Sequence, residues 1–553
     1  MGLVRNYELE HAWGEASDTA SRTSPSFALR PLPVSPGGNQ FRTTAPVETV
    51  PTEHGSKGPL FRAPNNRNAA ENSLACPLLP ANARMLAACT SLSSLGIPKY
   101  HVFRTAGWQN IGTSLSGNAA PNFSIDWFGA ICNQINLSID RANPAALQLS
   151  TSWIMHSERI NPAGSSTSTT NHTTPGTNKA FTLADGSAFR VGDYVTITQP
   201  GGNSQVNVPI KAKASANSIT VDTTVALDGS TGAGALTVVK AFFPTSSFTA
   251  LVDPYRSSDV FIDVEVADSA GVFNTGWTGN NVNVDAVDVT YAAALTPKNF
   301  IPDADPDLNG SWSRIADGIP NVSGSITLAL AEDEYLEYQP GVSIRKVRMR
   351  IMCASAQANG SSTMAAVSST STDTETAGAN KVFTLASGAG FAIGDLVTMT
   401  DGTNTQPATR ILAKATNDIT VTTSVNLDGS STPITVTKVG TAAVANAVIR
   451  VASATGFAVG DVILLNDGTR QSVATVTLIS GQDITVDQLD TQINVGATVQ
   501  NGAWEIKIPS ADILEAPRSP GDENYNIVLS YEASTDPTTG ELMIVKAYND
   551  DNA

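Results

Sequence analysis

Short stretches in which apolar and polar residues alternate recur along the chain. In 135–140, Ile135, Leu137 and Ile139 fall on one face of an extended chain and polar residues fall on the other. Such alternation predicts a half-buried antiparallel strand. The same pattern occurs at 282–285, 287–291, 325–330, 347–351, 504–508, 525–531 and 542–546. The apolar phase slips at Ala286, which predicts a β-bulge there.

One short sequence is present in three copies. It occupies 178–193, returns closely at 380–395 and returns more loosely at 446–461. Each copy is followed by a second shared strand, and these strands lie at 218–222, 418–422 and 483–487. Because each copy carries its own apolar strands and turns, we expect three small inserted β-modules of barrel or sandwich type. Their expected bounds are 164–241, 362–442 and 443–500.

Each copy contains a Gly-Asp pair that follows Phe-x-[Val/Ile] and precedes another apolar strand. The six residues of these pairs are Gly192, Asp193, Gly394, Asp395, Gly460 and Asp461. Glycine tolerates the positive φ that a tight turn requires, and aspartate side chains commonly stabilise turns. A turn-stabilising role is therefore favoured over a binding role for the three carboxylates.

The remaining sequence predicts one discontinuous β-domain formed by 71–163, 242–361 and 501–553. Residues 1–70 are rich in Pro, Ser, Thr and Asn, which predicts an extended arm. Helix-favouring residues at 80–90 predict one short helix. The fold class is therefore all-β with one or two short helices, arranged as an antiparallel sandwich or split barrel.

The composition narrows the functional classes. The chain has 553 residues, enough for several domains, and 50 acidic against 33 basic residues give a net charge of -17. Nucleic-acid affinity comes largely from Lys and Arg, so this balance argues against a protein that grips phosphates. The simpler interpretation of the acidic surface is a contribution to solubility.

The cysteines and the termini carry little functional signal. Cys76, Cys89, Cys132 and Cys353 have no paired spacing, and we expect buried free thiols. We expect neither a secretory signal nor a membrane span, and therefore folding in a reducing compartment.

Six segments of the non-repeated sequence carry a resemblance to a known family. They are 76–89, 125–128, 133–146, 321–328, 504–517 and 533–545. Their order and spacing resemble the tail tube proteins (major tail proteins) of long-tailed bacteriophages. The resemblance implies a β-sandwich or split barrel whose sheets join those of neighbouring copies into a ring, and stacked rings that conduct the genome.

The same resemblance implies partners and a location. The partners are further copies of the chain and other tail proteins, while DNA passes through the lumen without specific binding and no membrane is involved. The location is the phage tail of the virion, assembled in the host cytoplasm. The inserted modules would face outward, since an insert on the inner face would block the channel. Ring symmetry stays open between hexameric and trimeric, because the strands at 135–139 and 287–291 are alike enough to raise a duplication.

A basic strand and an acidic run are candidate subunit-interface residues. The basic residues are Arg345, Lys346, Arg348 and Arg350, and the acidic ones are Glu332, Asp333, Glu334 and Glu337. The two groups could meet across a subunit boundary. A solvated or salt-bridged face is the favoured interpretation, because such charge runs usually form one.

Candidate chemistry is sparse. One acidic segment resembles the start of a calcium loop and contains Asp303, Asp305, Asp307 and Asn309. However, Leu308 follows Asp307 at the position where a calcium loop has glycine, and no acidic residue closes the loop. An acidic turn is therefore favoured over a metal site. The five histidines form no catalytic motif, and we expect neither an enzyme nor a cofactor.

Two other functions stay open. The chain could be an adhesin or fibre-like protein whose repeats bind a receptor or glycan, or it could be a capsid or decoration protein. Adhesin repeats usually stack in uninterrupted arrays, whereas these repeats interrupt another fold. That arrangement favours the tail tube.

Overall fold

A computed structural model confirms the all-β class. The structure describes residues 9–15, 30–32, 47–50, 61–64, 71–90, 100–107, 123–140, 145–155, 157–229, 234–241, 254–267, 273, 277, 284–298, 314–316, 318–329, 346–354, 360–515, 518–520, 525–536 and 540–547. The helix expected at 80–90 is confirmed as a 3-10 turn, Pro80–Asn82, followed by α1 (Arg84–Thr90). A second 3-10 turn spans Ser257–Asp259.

The strands fall into five consecutive groups along the chain. Before the first insert come β1 (Leu9–Glu15), β2 (Arg30–Pro31), β3 (Val47–Val50), β4 (Phe61–Pro64), β5 (Glu71–Pro77), β6 (His101–Gly107), β7 (Phe123–Asp140), β8 (Gln148–Ile154) and β9 (Ser157–Pro162). The first insert contains β10 (Ser165–Ser168), β11 (Asn171–His172), β12 (Gly176–Thr182), β13 (Tyr194–Thr198), β14 (Ser204–Pro209), β15 (Ala212–Ser215), β16 (Ser218–Thr223), β17 (Leu227–Asp228) and β18 (Leu236–Ala241).

Six strands follow the first insert: β19 (Val260–Val266), β20 (Val284–Ala292), β21 (Thr296–Lys298), β22 (Arg314–Ala316), β23 (Asn321–Ala329) and β24 (Lys346–Ala354). The other two repeats contain β25 (Ser361–Thr363), β26 (Ser368–Ser371), β27 (Thr374–Glu375), β28 (Gly378–Thr384), β29 (Asp395–Thr400), β30 (Thr405–Arg410), β31 (Ala413–Ala415), β32 (Asp418–Thr423), β33 (Leu427–Asp428), β34 (Ile434–Thr441), β35 (Val448–Arg450), β36 (Val462–Asn466), β37 (Gln471–Ser480), β38 (Asp483–Val486), β39 (Ile493–Asn494) and β40 (Thr498–Gln500). The last group is β41 (Ala503–Glu515), β42 (Arg518–Pro520), β43 (Tyr525–Ala533) and β44 (Ile544–Ala547).

Most of the non-repeated strands build one large antiparallel sheet, which we call the framework, while β3 with β4 and β21 with β22 form separate pairs. Its strands follow the order β19-β24-β41-β43-β23-β20-β7-β6-β1-β2 and curve into a half-barrel. The long strand β7 joins the two parts of this sheet, because its first half pairs with β6 and its second half with β20. Gly129, with φ 58°, lies near the end of the half that pairs with β6. The bulge expected at Ala286 is confirmed by a register shift between Val284 and Ala286.

Each repeat encloses a hydrophobic cluster of its own. Phe181 and Phe383 occupy corresponding places in the first two clusters, and Ile449 does so in the third. The phenylalanine that precedes each Gly-Asp pair is also buried, at Phe189, Phe391 and Phe457. Burial of apolar side chains is the main favourable term in folding, so each repeat contributes its own core.

The second repeat lies inside the third. Strand β25 pairs with β40, the last strand of the third repeat, and Met364 belongs to the hydrophobic cluster of that repeat. The expected boundary at 362 therefore divides the third repeat from its own first strand. Ser361-Ser-Thr-Met364 is a copy of the opening strands β10 and β26. A strand of small polar residues has no apolar pattern, so the sequence could not assign it to a repeat.

The third repeat packs against the framework as well as around its own core. Strand β36 is buried on both faces: Ile463 faces the repeat's own cluster, and Leu464 packs with Met352 and Ala503 of the framework. The corresponding strand of the second repeat, β29, alternates between buried and half-buried positions. Continuous rather than alternating burial is what contact on both faces requires.

Candidate functional site

The three Gly-Asp turns share one geometry. Gly192, Gly394 and Gly460 have φ angles of 86°, 93° and 96°, in the region that favours glycine. The following aspartates are buried, and each carboxylate accepts a hydrogen bond from the backbone N–H three residues earlier. These donors are Arg190 at 2.8 Å, Ala392 at 2.7 Å and Ala458 at 2.7 Å. The buried carboxylates therefore stabilise the turns.

The second partner of each turn carboxylate comes from the last strand of the repeat or the residue after it. Lys240 Nζ lies 2.8 Å from Asp193, and Lys438 Nζ lies 2.7 Å from Asp395. In the third repeat the partner is neutral, since Asn501 Nδ2 donates to Asp461 at 2.6 Å. The three partners correspond, because each donates its backbone N–H to the residue before the first strand of its own repeat, at 2.8 Å.

A buried network of four charges joins the first repeat to the framework. Arg104 on β6 binds Asp126 on β7 through two hydrogen bonds, of 2.6 and 2.9 Å, and lies 3.6 Å from Asp193. Lys240 completes the network, and all four side chains are at most 1% exposed. Burial lowers the pKa of Lys240, and the attraction of Asp193 opposes this shift. Two positive and two negative groups balance within the junction.

A second charged junction joins the third repeat to the framework. Arg348 Nε donates to Glu265 at 2.6 Å, and Arg350 Nη2 donates to Asp263 at 2.5 Å. Both guanidinium groups lie over the ring of Trp277, at 4.4 and 4.6 Å from its centroid. Arg350 is fully buried and also lies 3.7 Å from Asp490 of the third repeat. Burial raises the pKa of the Asp263 carboxyl, and Arg350 opposes that shift.

Glu505 is the most unusual group of this junction. It lies on β41, it is 1% exposed, and neither carboxylate oxygen has a hydrogen-bond partner among the described residues. Lys507, two residues further along the same strand, binds Asp490 at 2.8 Å. Burial raises the pKa of Glu505 to about 7, and the nearby negative charge of Asp490 adds to the shift. The neutral acid is therefore the form that this site favours below neutral pH.

The structure places some of the expected interface residues and not others. Arg348 and Arg350 lie in the junction with the third repeat and are paired within the chain, and Lys346 begins the same strand. The salt-bridged interpretation of this strand is the one that the contacts match. Arg345 and the acidic residues Glu332, Asp333, Glu334 and Glu337 lie outside the described residues. The calcium candidates Asp303, Asp305, Asp307 and Asn309 also lie outside them.

Sequence reasoning missed Glu505, Asp490, Asp263 and the Arg104–Asp126 pair. A signal was present, because Asp263 and Glu265 stand two residues apart on one strand, as do Glu505 and Lys507 on another. Charges at that spacing share one face of a strand, and the apolar residues between them lie on the opposite face, towards the core. Such a face must meet solvent or a charged partner, and here it meets the third repeat.

The described residues hold little other reactive chemistry. Cys76, Cys132 and Cys353 are buried with free thiols, and the side chain of Cys89 lies outside the description. In the part of the chain that the structure describes, no three potential ligand residues come together as a metal site. Nor does any described helix have the length and apolarity needed to cross a membrane. No protein-family model matches the chain, and no curated protein matches it.

Proposed function

We propose that the protein is a structural virion component, a tail tube subunit that assembles into stacked rings around a conduit for the phage genome. The observation that carries this proposal is the open edge of the framework. Within the described residues, the terminal strand β19 pairs with β24 and with no other strand. An open sheet edge attracts further strands, and a closed ring of identical subunits satisfies every such edge with one repeated interface.

The charges of the chain support a conduit that does not retain DNA. The net charge is -17, and phosphate binding depends on available Lys and Arg side chains. On the most basic strand, Arg348 and Arg350 are paired with Glu265 and Asp263 and covered by Trp277. These guanidinium groups are paired within the chain and are therefore not available to bind a phosphate backbone.

The position of the third repeat supports outward-facing inserts. It covers the framework face formed by Met352, Ala503 and Lys507, whereas Ile351 and Trp504 of the same strands face the framework core. The second repeat is in turn inserted into the third and pairs with it. Both repeats therefore extend from one face of the framework.

Negative-stain electron microscopy of the purified full-length chain tests the proposal. Hollow tubes or discs with a central bore are the expected result. Monomeric rods would favour an adhesin or fibre-like protein, and shell-like sheets would favour a capsid or decoration protein. Mass photometry of the same sample gives the number of copies in a disc, and a strictly monomeric mass at assembly concentrations would refute the tube.

A further inference from the structure

A cleft of about 900 Å³ lies where the second repeat meets the third. One wall is the turn of the second repeat that precedes its Gly-Asp pair, at 389–393, and another is the connection at 443–446. The corresponding turn of the first repeat lies against the framework instead, where Asp193 contacts Arg104. The cleft is thus a product of inserting one repeat into another.

Two cations in the cleft have no partner in the described part of the chain. Arg410 and Lys414 both line it, and neither side chain makes a hydrogen bond or ion pair with the described residues. Lys414 corresponds to Lys213 of the first repeat, since each is the second residue of a strand that begins Ala-Lys-Ala. Lys213 donates to the carbonyl oxygens of Gly186 and Phe189, both at 2.8 Å. The same lysine is engaged in the first repeat and available in the second.

The cleft also presents a carboxylate. Asp483 on β38 lines it, and the Oδ1 atom of Asp483 is buried without a hydrogen bond to any described residue. The nearest cation is Arg450, whose Nη1 lies 3.7 Å from that oxygen, too far for a hydrogen bond. The side chain as a whole is 31% exposed, so its carboxylate remains within reach of a ligand hydroxyl in the cleft.

Apolar surface completes the lining. Phe391 closes the cleft from the core of the second repeat, and Ile393 leaves 53% of its surface exposed at the rim. Ligand sites in proteins combine such apolar surface with a few polar groups that fix orientation. The strands and turns around the cleft are already formed, so binding would not need to order them.

We propose that this cleft binds an acidic sugar, a pyranose that carries a carboxylate. The carboxylate would contact Arg410 and Lys414, a ring hydroxyl would donate to Asp483, and the apolar face of the ring would lie on Ile393. An inorganic anion would satisfy the cations but would be repelled by Asp483. A neutral sugar would satisfy Asp483 but would leave both cations without a counter-charge. The inference does not depend on the tube function, because the cleft lies entirely within the inserts.

Isothermal titration calorimetry on the full-length chain tests the site, with galacturonic acid as the probe and galactose, inorganic phosphate and glutamate as comparisons. The expected result is saturable binding of galacturonic acid, at least about tenfold tighter than any of the three. Lys414→Ala and Arg410→Ala should each weaken binding by roughly tenfold, because each removes a charged hydrogen-bond donor. Lys211→Ala is the matched control, since it removes one exposed lysine, paired with Asp222, from the first repeat.

Several results would overturn the proposal. Absence of saturable binding would do so, as would equal affinity for phosphate, which would mark an anion site only. Tighter binding of glutamate than of galacturonic acid would show that the cleft prefers a zwitterion to an acidic sugar. An equal loss in Lys211→Ala would show that the chain's overall charge, and not the cleft, sets the affinity. Circular dichroism melts of the variants separate loss of binding from loss of folding, and Arg410, which is exposed, provides the variant least able to disturb the fold.

Discussion

Met364 pairs with Val451 in an antiparallel bridge, although the whole second repeat lies between them in the chain. The corresponding bridges of the other repeats join Ser168 to Leu183 and Ser371 to Leu385. Those two bridges close over short distances in sequence, whereas the third spans an insertion. The third repeat therefore consists of two segments that the second repeat separates in sequence. Its first strand depends on contacts with residues that come after the second repeat.

Met364→Ala should destabilise the third repeat and leave the second intact. The side chain is 1% exposed within the third cluster, and truncation of a buried methionine costs about 2–5 kcal/mol. Hydrogen-exchange mass spectrometry should show reduced protection at 447–499 and unchanged protection at 383–436. Met399→Ala is the matched control, since Met399 is fully buried in the second cluster and should give the opposite pattern. Loss of protection in the second repeat alone on Met364→Ala would refute the nested arrangement.

Excision of the second repeat should leave the third folded if the cut respects the nesting. The ends of such a deletion lie side by side, because Gly496 N–H donates to Met364 O and Val495 N–H donates to Val439 O, both at 2.9 Å. Replacing 366–441 with a short Gly-Ser linker should therefore keep the exchange protection of β36 and β37.

The matched deletion replaces 362–442 with the same linker. It removes most of β25 and all of Met364, so it uncovers β40 and opens a cavity in the third cluster. Its third repeat should lose protection. Equal protection in the two deletions would mean that β25 contributes nothing to the third repeat.

Local sequence patterns predicted much of this fold but little of its network of buried charges. Alternation located seven framework strands, and the phase slip at Ala286 located a bulge, because both effects act within a few residues. The seven are β7, β20, β23, β24, β41, β43 and β44. The assignment of Ser361–Thr363 failed because a Ser/Thr strand fits any of the three repeats. The contact of Arg104 with Asp193 depends on which surfaces meet after folding, and no local pattern encodes that.

Lys438→Asn should be tolerated better than Lys438→Ala. Lys438 and Asp395 are both fully buried, and removal of one partner from a buried ion pair costs about 3–5 kcal/mol. The third repeat makes the corresponding contact with Asn501, so asparagine at this place can reach the turn carboxylate. Urea unfolding, followed by hydrogen exchange in 383–436, should give a lower midpoint for the alanine variant than for the asparagine variant. Equal midpoints would show that the turn carboxylate needs no donor at position 438.

Glu505→Gln should remove one component of the pH dependence of stability. The pKa of Glu505 in the folded chain is about 7, against 4.5 for the ordinary group, because burial disfavours the charged form. A raised pKa means that the folded state holds the proton more tightly than the unfolded state does. The stability that the neutral acid provides is therefore complete below about pH 4.5, falls as pH rises towards 7, and is lost above it. The full change is roughly 3 kcal/mol at 1.36 kcal/mol for each pKa unit.

The glutamine variant keeps the shape of Glu505 and carries no titrating proton, so the difference between the two stability curves isolates this group. Burial opposes the ionisation of Asp490, but Lys507 and Arg350 outweigh it and hold the pKa of Asp490 below its usual value. Asp490 therefore alters stability in more acidic solution, outside the window of Glu505. Urea midpoints at pH 5 and pH 8 should differ more in the parent chain than in Glu505→Gln. Parallel curves would show that Glu505 is already ionised in the folded state, and that Arg350, Lys507 and Lys546 neutralise it within the junction.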